Sequence, residues 1–318
     1  MLNDDQKIQR MVEIAKMYYF YNMTQNEIAK QLSISRPLVS KLLNDAISTG
    51  IVSININYPK TYTNNLATEL IKKFKLKDVF IITQTPVTDI DSFIAEKALD
   101  YLEKNLDDIK YLGVGWGSII SNITDILELK EKNLKKLKGK VVPLIGNSNL
   151  PFKGFHSNDL VKIVGIKTGL TPNYLFSPAF FTSKQEKEIF TSIENYREIL
   201  NIWEKLDAAI IGINSHPSVP DLATALRFGN VLSEKKAVGN ILSYYFDKNG
   251  NIIDGENDFS IEIPLKILKK VKKVIGIVPS NVNKNAIIGV LNSKLITHLV
   301  ITSDSAKSVL KEINSWNW

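Results

Sequence analysis

The sequence of 318 residues contains no cysteine. Disulfides, thiolate zinc sites and cysteine nucleophiles are therefore excluded. It also contains no run of about eighteen apolar residues, so it predicts no transmembrane helix and no membrane partner. The charged beginning of the chain lacks the apolar core of a signal peptide. We accordingly expect a cytoplasmic protein.

Histidine is scarce as well, with three residues in the whole chain. His156, His216 and His298 are far apart, and no carboxylate accompanies them at the spacing of a metal site or a catalytic triad. Ser118 lacks the flanking residues of a nucleophile elbow. We therefore predict no metal, no cofactor and no catalytic residue, and we interpret the histidines as structural or surface residues.

Positive charge is in excess over the whole chain, with a formal net charge of +7. Residues 1–57, however, contain six Lys or Arg and five Asp or Glu, which leaves a net charge of only +1 there. A basic excess suits an anionic partner without locating it. A prediction of DNA binding for this segment must therefore rest on pattern rather than on charge.

The first fifty residues carry the pattern of three short helices. Apolar residues in 3–22 recur at helical spacing. Thr24 with Glu27 is a capping-box pattern that predicts a second helix to about Leu32. Ser35 caps a third, with Pro37 in its first turn, and Gly50 ends it. The alternation in 51–58 predicts a short strand, and we place the domains at 1–57 and 58–318.

The second and third predicted helices have helix-turn-helix spacing. Counting from Gln25, apolar residues fall where two crossing helices touch: Ile28, Ala29, Leu32, Ile34, Val39 and Leu42. Ala29 supplies the small side chain required at the crossing, while Ser33 occupies a turn position where glycine is common because φ is often positive. The alternative is an ordinary helical hairpin packed on the first helix.

A helix-turn-helix inserts its second helix into the DNA major groove. We therefore predict that double-stranded DNA is contacted by outward-facing residues of the third helix, namely Ser35, Arg36, Ser40 and Asn44. Thr24, Gln25 and Lys41 are better placed for the phosphate backbone. The low local charge predicts modest affinity per copy, which a homodimer or homotetramer on repeated half-sites compensates.

Beyond residue 58, short apolar runs alternate with helical stretches. The predicted strands are 79–83, 111–114, 141–145, 208–213, 274–278 and 299–302, and the predicted helices include 91–104, 184–205 and 283–291. Such alternation indicates a parallel sheet covered by helices on both faces. Residues 241–247 and 251–254 predict an antiparallel hairpin with its turn at Asn249-Gly250. The fold class is therefore α/β: an all-helical helix-turn-helix domain and a Rossmann-like parallel-sheet domain.

Several motifs in this larger part follow strands. Gly113-Val-Gly-Trp-Gly-Ser joins a strand to a helix, where backbone N–H groups can face an anion; tight strand–helix packing is the alternative explanation of its glycines. Together with other segments it resembles the SorC/DeoR-type sugar-binding transcription regulators over nearly the whole chain. The other segments are Thr24–Leu43, Val141-Val-Pro-Leu-Ile-Gly, Phe176-Ser-Pro-Ala, Ala209-Ile-Ile-Gly-Ile, Ala237-Val-Gly-Asn-Ile, Tyr245-Phe-Asp-Lys-Asn-Gly, the region of Lys284, and Leu299-Val-Ile-Thr-Ser-Asp.

The resemblance implies an effector domain similar to sugar-phosphate isomerases, which binds a sugar, polyol or sugar phosphate at the carboxyl ends of its strands. It places nine residues at the effector: Gly115, Trp116, Gly117, Ser118, Gly146, Asn147, Ser148, Asp247 and Lys284. Asp247 can equally serve only to begin the hairpin turn, and Lys284 can be a solvated lysine. Ser118-Ile-Ile and Val278-Pro-Ser-Asn depart from the family pattern, so an unphosphorylated effector stays open.

Two other classes of protein are alternatives to a regulator. An isomerase-like enzyme would share the fold of the larger domain, but it would have little use for a capped helix-turn-helix. A DNA-architectural protein would leave about four-fifths of the chain without a role. The sequence thus predicts a DNA-binding regulator that is controlled by a carbohydrate effector and is not an enzyme.

Overall fold

The computed structural model describes residues 4–52, 60–83, 89–129, 136–148, 150–217 and 222–314. The chain divides into two compact units, 1–57 with 84–90 and 58–83 with 91–318. No helix in the described ranges combines the length and the apolar character needed to cross a bilayer.

The described residues of the first unit form three helices around a small apolar core. They are α1 (Asp4–Tyr19), α2 (Gln25–Gln31) and α3 (Arg36–Ser48). Ile14, Ile28, Val39 and Ala46 are fully buried between them, which is what the apolar spacing of the sequence requires. The predicted strand at 51–58 falls mainly outside the described residues.

The junction between α2 and α3 is fixed by local hydrogen bonds. The Thr24 hydroxyl accepts from Glu27 N (3.3 Å), and the Thr24 amide donates to Glu27 Oε2 (2.8 Å). Ser33 has a φ of 52°, so this serine adopts the left-handed conformation expected of the turn position. Ser35 Oγ accepts from Leu38 N (3.4 Å) and caps α3. The predicted caps are all present.

The described residues of the second unit form a sheet of ten strands. The strands are β1 (Asp78–Ile82), β2 (Tyr111–Val114), β3 (Lys140–Pro143), β4 (Thr171–Pro172), β5 (Ala208–Ser215), β6 (Gly239–Ile241), β7 (Tyr244–Phe246), β8 (Ile252–Ile253), β9 (Lys273–Ile277) and β10 (His298–Thr302). Seven are parallel in the order β1-β10-β9-β5-β2-β3-β4, and β6, β7 and β8 extend β5 in antiparallel fashion. The central parallel strands are almost wholly buried, as expected for strands covered on both faces.

Helices connect and cover these strands. They are α4 (Lys60–Phe74), α5 (Ile90–Asn105), α6 (Ser118–Leu129), α7 (Ser157–Thr168), α8 (Lys184–Ser192), α9 (Glu194–Trp203), α10 (Leu222–Phe228), α11 (Val231–Glu234), α12 (Leu265–Leu268), α13 (Lys284–Ser293) and α14 (Ser303–Asn314). The predicted single helix 184–205 was wrong. It breaks at Ile193, whose backbone is extended (φ −75°, ψ 153°), and the hydroxyls of Thr191 and Ser192 bond carbonyls of the preceding turn.

The predicted hairpin needs a similar correction. Ile241 belongs to β6 rather than to one long strand 241–247, because the chain reverses at Leu242, where φ is 51°. The second reversal lies where the sequence predicts it, with Gly250 at a φ of 86°. Two antiparallel reversals therefore replace one.

The strand order locates a crevice. The chain leaves β2 toward β3 on one side, whereas it leaves β5 toward β9 on the other. Open parallel sheets bind ligands outside the carboxyl ends of strands at such a switch point. The segments that follow β2 and β5 are therefore the first place to look for an effector site.

Candidate functional site

The predicted DNA-contacting residues lie on the outer side of α2 and α3. Val39, Leu42, Leu43 and Ala46 face the core, and at about 100° per residue this directs Lys41 and Asn44 to the opposite side. Thr24, Ser35, Arg36, Lys41 and Asn44 are exposed, while Gln25 and Ser40 are half-buried. Among the described residues, neither Arg36 nor Lys41 forms an ion pair.

Thr24 is already committed to the start of α2. Its hydroxyl also donates to Glu27 Oε2 (2.8 Å), and the hydrogen bonds from the amide and hydroxyl of Thr24 lower the pKa of Glu27. A phosphate contact by this hydroxyl would have to compete with Glu27. The Thr24 side chain therefore serves first to begin the helix.

The glycine turn after β2 is held by its own backbone. Gly115 N donates to Ile210 O (2.8 Å) and Gly117 N donates to Gly154 O (2.7 Å), so these two amides are not free to bind an anion. Gly117 has a φ of 110°, and the position that a Cβ would take there is open, with no atom within 4 Å. The exposed Ser118 then begins α6, and the first-turn amides of a helix have no partner within the helix itself.

The side chain of Trp116 holds this turn in place. Its side chain is buried, and its Nε1 donates to Leu242 O (3.2 Å). Its ring packs edge-on against Phe155 and Phe180, with centroids 5.2 and 5.8 Å away. Trp116 therefore shapes the turn, and its predicted contact with an effector stays a prediction.

Asn240 on β6 donates to the same carbonyl as Trp116, that of Leu242, and it is not among the residues predicted from the sequence. Its Nδ2 donates to Leu242 O (2.9 Å), and its Oδ1 is buried without a hydrogen-bond partner in the part of the chain that the structure describes. Nδ1 of His216, just after β5, has none there either, and burial lowers the pKa of this histidine. Unpaired buried polar atoms are costly, and neither Asn240 nor His216 lines the pocket described below.

Gly146, Asn147 and Ser148 follow β3 and form a wall. A side chain at Gly146 would collide with the backbone of Pro178. Asn147 Nδ2 donates to Leu175 O (3.3 Å), and its Oδ1 accepts from Asn158 N (3.2 Å). Asn147 and Ser148 line a pocket of about 1040 Å³ together with Leu150, Phe176, Ser177, Pro178, Ala179, Phe180, Phe181, Thr182, Leu226, Arg227 and Asn257.

Arg227 supplies the positive charge of this lining. Its side chain is 3% exposed and lies over the ring of Phe180, 4.2 Å from the centroid. Nε donates to Asp258 Oδ1 (2.9 Å) and Nη2 donates to Ser243 Oγ (3.1 Å). Nη1 has no hydrogen bond to the described residues, which leaves a donor for a ligand.

A buried carboxyl group lies behind Arg227. Glu262 accepts from the amide and hydroxyl of Ser243 and from the Ser260 hydroxyl (3.2 Å). Desolvation raises the pKa of Glu262 to about 7, although Ser243 and Arg227 oppose the shift. Ser243 therefore connects a carboxyl group that titrates near neutrality to the pocket arginine.

Asp247 and Lys284 are held elsewhere. The Asp247 carboxylate accepts from the amide and the Nδ2 of Asn251, both at 2.9 Å, so it organises the hairpin turn. Lys284 Nζ pairs with Glu312 Oε2 (2.6 Å), and Lys248 binds the other oxygen (2.8 Å). These ammonium groups lower the pKa of Glu312 to about 2. Neither Asp247 nor Lys284 lines the pocket.

Metal binding has no candidate in the ranges described. No group of three or more His, Asp or Glu side chains there is arranged to hold an ion.

Several known proteins are similar to this chain. A family model described as "Putative sugar-binding domain" matches residues 58–311. The chain belongs to this family. The sorbitol operon regulator of Klebsiella pneumoniae is 26% identical over 319 residues, covering 98% of this chain and 100% of that protein. The deoxyribonucleoside regulator of Bacillus subtilis (strain 168) is 28% identical over 320 residues, with coverage of 98% and 100%.

A solved structure extends the similarity to the fold. The crystal structure of the full-length sorbitol operon regulator SorC from Klebsiella pneumoniae matches with a TM-score of 0.68 at 25% identity, and the match covers 97% of this chain and 100% of that one. The resemblance to SorC/DeoR-type regulators and the predicted α/β fold class are therefore confirmed.

Proposed function

We propose that this chain is a DNA-binding transcription regulator whose second unit binds a carbohydrate or a phosphorylated carbohydrate. The observation that carries the proposal is the capped α2–α3 pair. It exposes Asn44 and the cations Arg36 and Lys41, and these two cations form no ion pair among the described residues. The chain also belongs to the sugar-binding-domain family. We infer the class of effector from membership of the family, and we infer DNA as the partner from the α2–α3 pair.

The effector pocket has the chemistry of a carbohydrate site. Phe176, Phe180 and Phe181 offer apolar faces on which the C–H surface of a sugar ring can pack, while Asn147, Ser148 and Asn257 offer hydrogen bonds. Arg227 Nη1 donates to a hydroxyl or a phosphate oxygen. Gly115–Ser118 and Gly146 shape the adjoining wall, and Asn240 accepts from a ligand hydroxyl at the crevice.

Asp247 and Lys284 lie outside the pocket lining, so a ligand contact by either residue requires a change of partner. Lys284 Nζ must exchange Glu312 for the ligand. Asp247 must give up its bonds to Asn251, so we rank its turn-forming role above direct contact.

Regulation by an effector requires a difference in affinity between two states of the protein. We propose that copies of the chain associate and that the effector favours one arrangement of the copies. Outside the pocket lining, Ile189 on α8 is 64% exposed, and no residue of α8 is buried. A helix that packs so little within its own chain suits association as a homodimer or homotetramer.

An isomerase-like enzyme is the competing function. The relatives are named as regulators, and the lining of the pocket combines one arginine with amides, hydroxyls and phenylalanines. We propose binding without turnover: sugar phosphates incubated with the protein should be recovered unchanged.

The function is tested by fluorescence anisotropy with the full chain and a duplex from upstream of its own gene. We expect binding that weakens steeply with salt, because each neutralised phosphate contributes about −0.9 to the slope of the logarithm of the binding constant against the logarithm of the salt concentration. Arg36→Ala with Lys41→Ala should weaken binding, whereas Lys16→Ala, which removes an exposed lysine of α1, should not. A panel of sugars, polyols and their phosphates should contain a compound that both stabilises the protein and changes its DNA affinity, and Arg227→Met should abolish this response.

Two results would contradict the proposal. Salt-insensitive or absent DNA binding would remove the regulator function. Normal DNA binding with no response to any carbohydrate would remove only the effector class.

A further inference from the structure

An apolar side chain is exposed at the start of α3. Leu38 is 41% exposed, and the adjoining Pro37 is exposed as well. The other aliphatic residues of this helix, from Val39 to Ala46, are largely buried. Single exposed apolar residues are common on protein surfaces, so the position of Leu38 has to decide its meaning.

That position is the first turn of the helix that enters the major groove. First-turn residues of the second helix meet base edges in helix-turn-helix proteins. The exposed cation Lys41 follows Leu38 by three residues and so lies on the same side of the helix, which makes the surface beside Leu38 suitable for a polyanion. An apolar group held there has one matching group on the base edges, the C5-methyl of thymine, because the other exposed edge groups are hydrogen-bond donors or acceptors.

The local backbone fixes where Leu38 is presented. Its amide donates to Ser35 Oγ (3.4 Å) and to Ser35 O (3.0 Å). Pro37 restricts φ in the same turn. Because the Cα of Leu38 is placed before DNA arrives, little backbone entropy is lost when its side chain contacts a base.

We propose that Leu38, with Pro37 beside it, contacts a thymine methyl group in each half-site and thereby determines sequence preference at that base pair. This inference rests on the proposed DNA-binding function. It assigns the reading of thymine to an apolar contact, in addition to the polar contacts predicted for Arg36, Ser40 and Asn44.

The test begins with a duplex selected by the full chain from a pool of random sequence. Each thymine of that duplex is replaced in turn by deoxyuridine, which removes only the methyl group. We expect one position per half-site at which the dissociation constant rises about threefold to tenfold. For Leu38→Ala the thymine and deoxyuridine duplexes should bind equally at that position.

Ile8→Ala is the matched control. Ile8 is 47% exposed on α1 of the same unit, and its removal should leave the deoxyuridine effect unchanged. Both substitutions shorten exposed side chains, and the scan of the unsubstituted protein is informative without them.

Three outcomes would count against one claim or the other. No deoxyuridine-sensitive position would overturn the inference while DNA binding stands. A sensitive position that persists in Leu38→Ala would assign the methyl contact to another residue. If the selection enriched no duplex at all, the proposed function itself would fail.

Discussion

Glu262 should make the stability of the second unit depend on pH. The pKa of this buried carboxyl is raised from 4.5 to about 7, first by desolvation. The folded state therefore holds its proton to a higher pH than the unfolded chain does. The stabilisation is fully present below about pH 4.5 and is lost as the pH rises to about 7. At about 1.4 kcal/mol per pKa unit, the loss amounts to roughly 3 kcal/mol.

Glu262→Gln isolates this effect, because glutamine has nearly the same shape and does not titrate. Its amide oxygen can accept from Ser243 N, and its amide nitrogen can donate to the hydroxyls of Ser243 and Ser260, whose protons can turn away. The unfolding free energy of the unsubstituted protein, relative to Glu262→Gln, should fall by roughly 3 kcal/mol between about pH 4.5 and pH 7 and then stay level. The comparison cancels the other titrating groups.

The assay is urea unfolding followed by tryptophan fluorescence. Residues 1–57 and 84–90 contain no tryptophan, so the signal does not come from the first unit. Glu256→Gln, which removes an exposed carboxylate from the same segment, controls for the loss of charge. A difference between the protein and Glu262→Gln that is constant with pH, or that grows in favour of the protein as pH rises, would refute the reasoning.

Two further substitutions test local features of the fold. Thr24→Ala removes the hydroxyl half of the capping box and keeps the bond from the amide of residue 24 to Glu27, which should destabilise the start of α2 by about 1 kcal/mol and speed amide exchange there about fivefold, whereas Thr24→Ser should restore protection; equal exchange in all three would contradict the capping role. Gly117→Ala places a Cβ in open space but at a φ of 110°, so backbone strain alone should lower the unfolding free energy by about 1–3 kcal/mol. Gly229→Ala, at a φ of 51° with equally open space, should cost less, and a similar loss for both would argue against strain as the cause.

The features that the sequence predicted well are those decided locally. The caps at Thr24 and Ser35 depend on residues within three positions, and they appear in the structure as predicted. The parallel strands could be read because strands covered on both faces are continuous apolar runs. The bounds of the six predicted strands are accordingly correct to within one or two residues, whereas the two-residue strand β4 was not predicted.

The features that were missed depend on distant contacts. Arg227 acquires its place from Ser243 and Asp258, which lie 16 and 31 residues away, and no local pattern announces them. Asn240 stands within a motif that supported the family resemblance, but its unpaired oxygen becomes evident only when β6 pairs with β5. Asp247 illustrates the reverse, since a local turn engages a carboxylate that the family pattern assigned to the ligand.

The ion pair of Lys284 has a consequence for how that lysine can be used. Glu312 is ionised at neutral pH, and one carboxylate serves two ammonium groups, so the three side chains together carry one surplus positive charge. If Lys284 swings toward an incoming anion, Lys248 still neutralises Glu312, and no bare carboxylate is left behind. The departure of Lys284 therefore leaves no unpaired charge on Glu312, and this lysine can change partners while α13 stays in place.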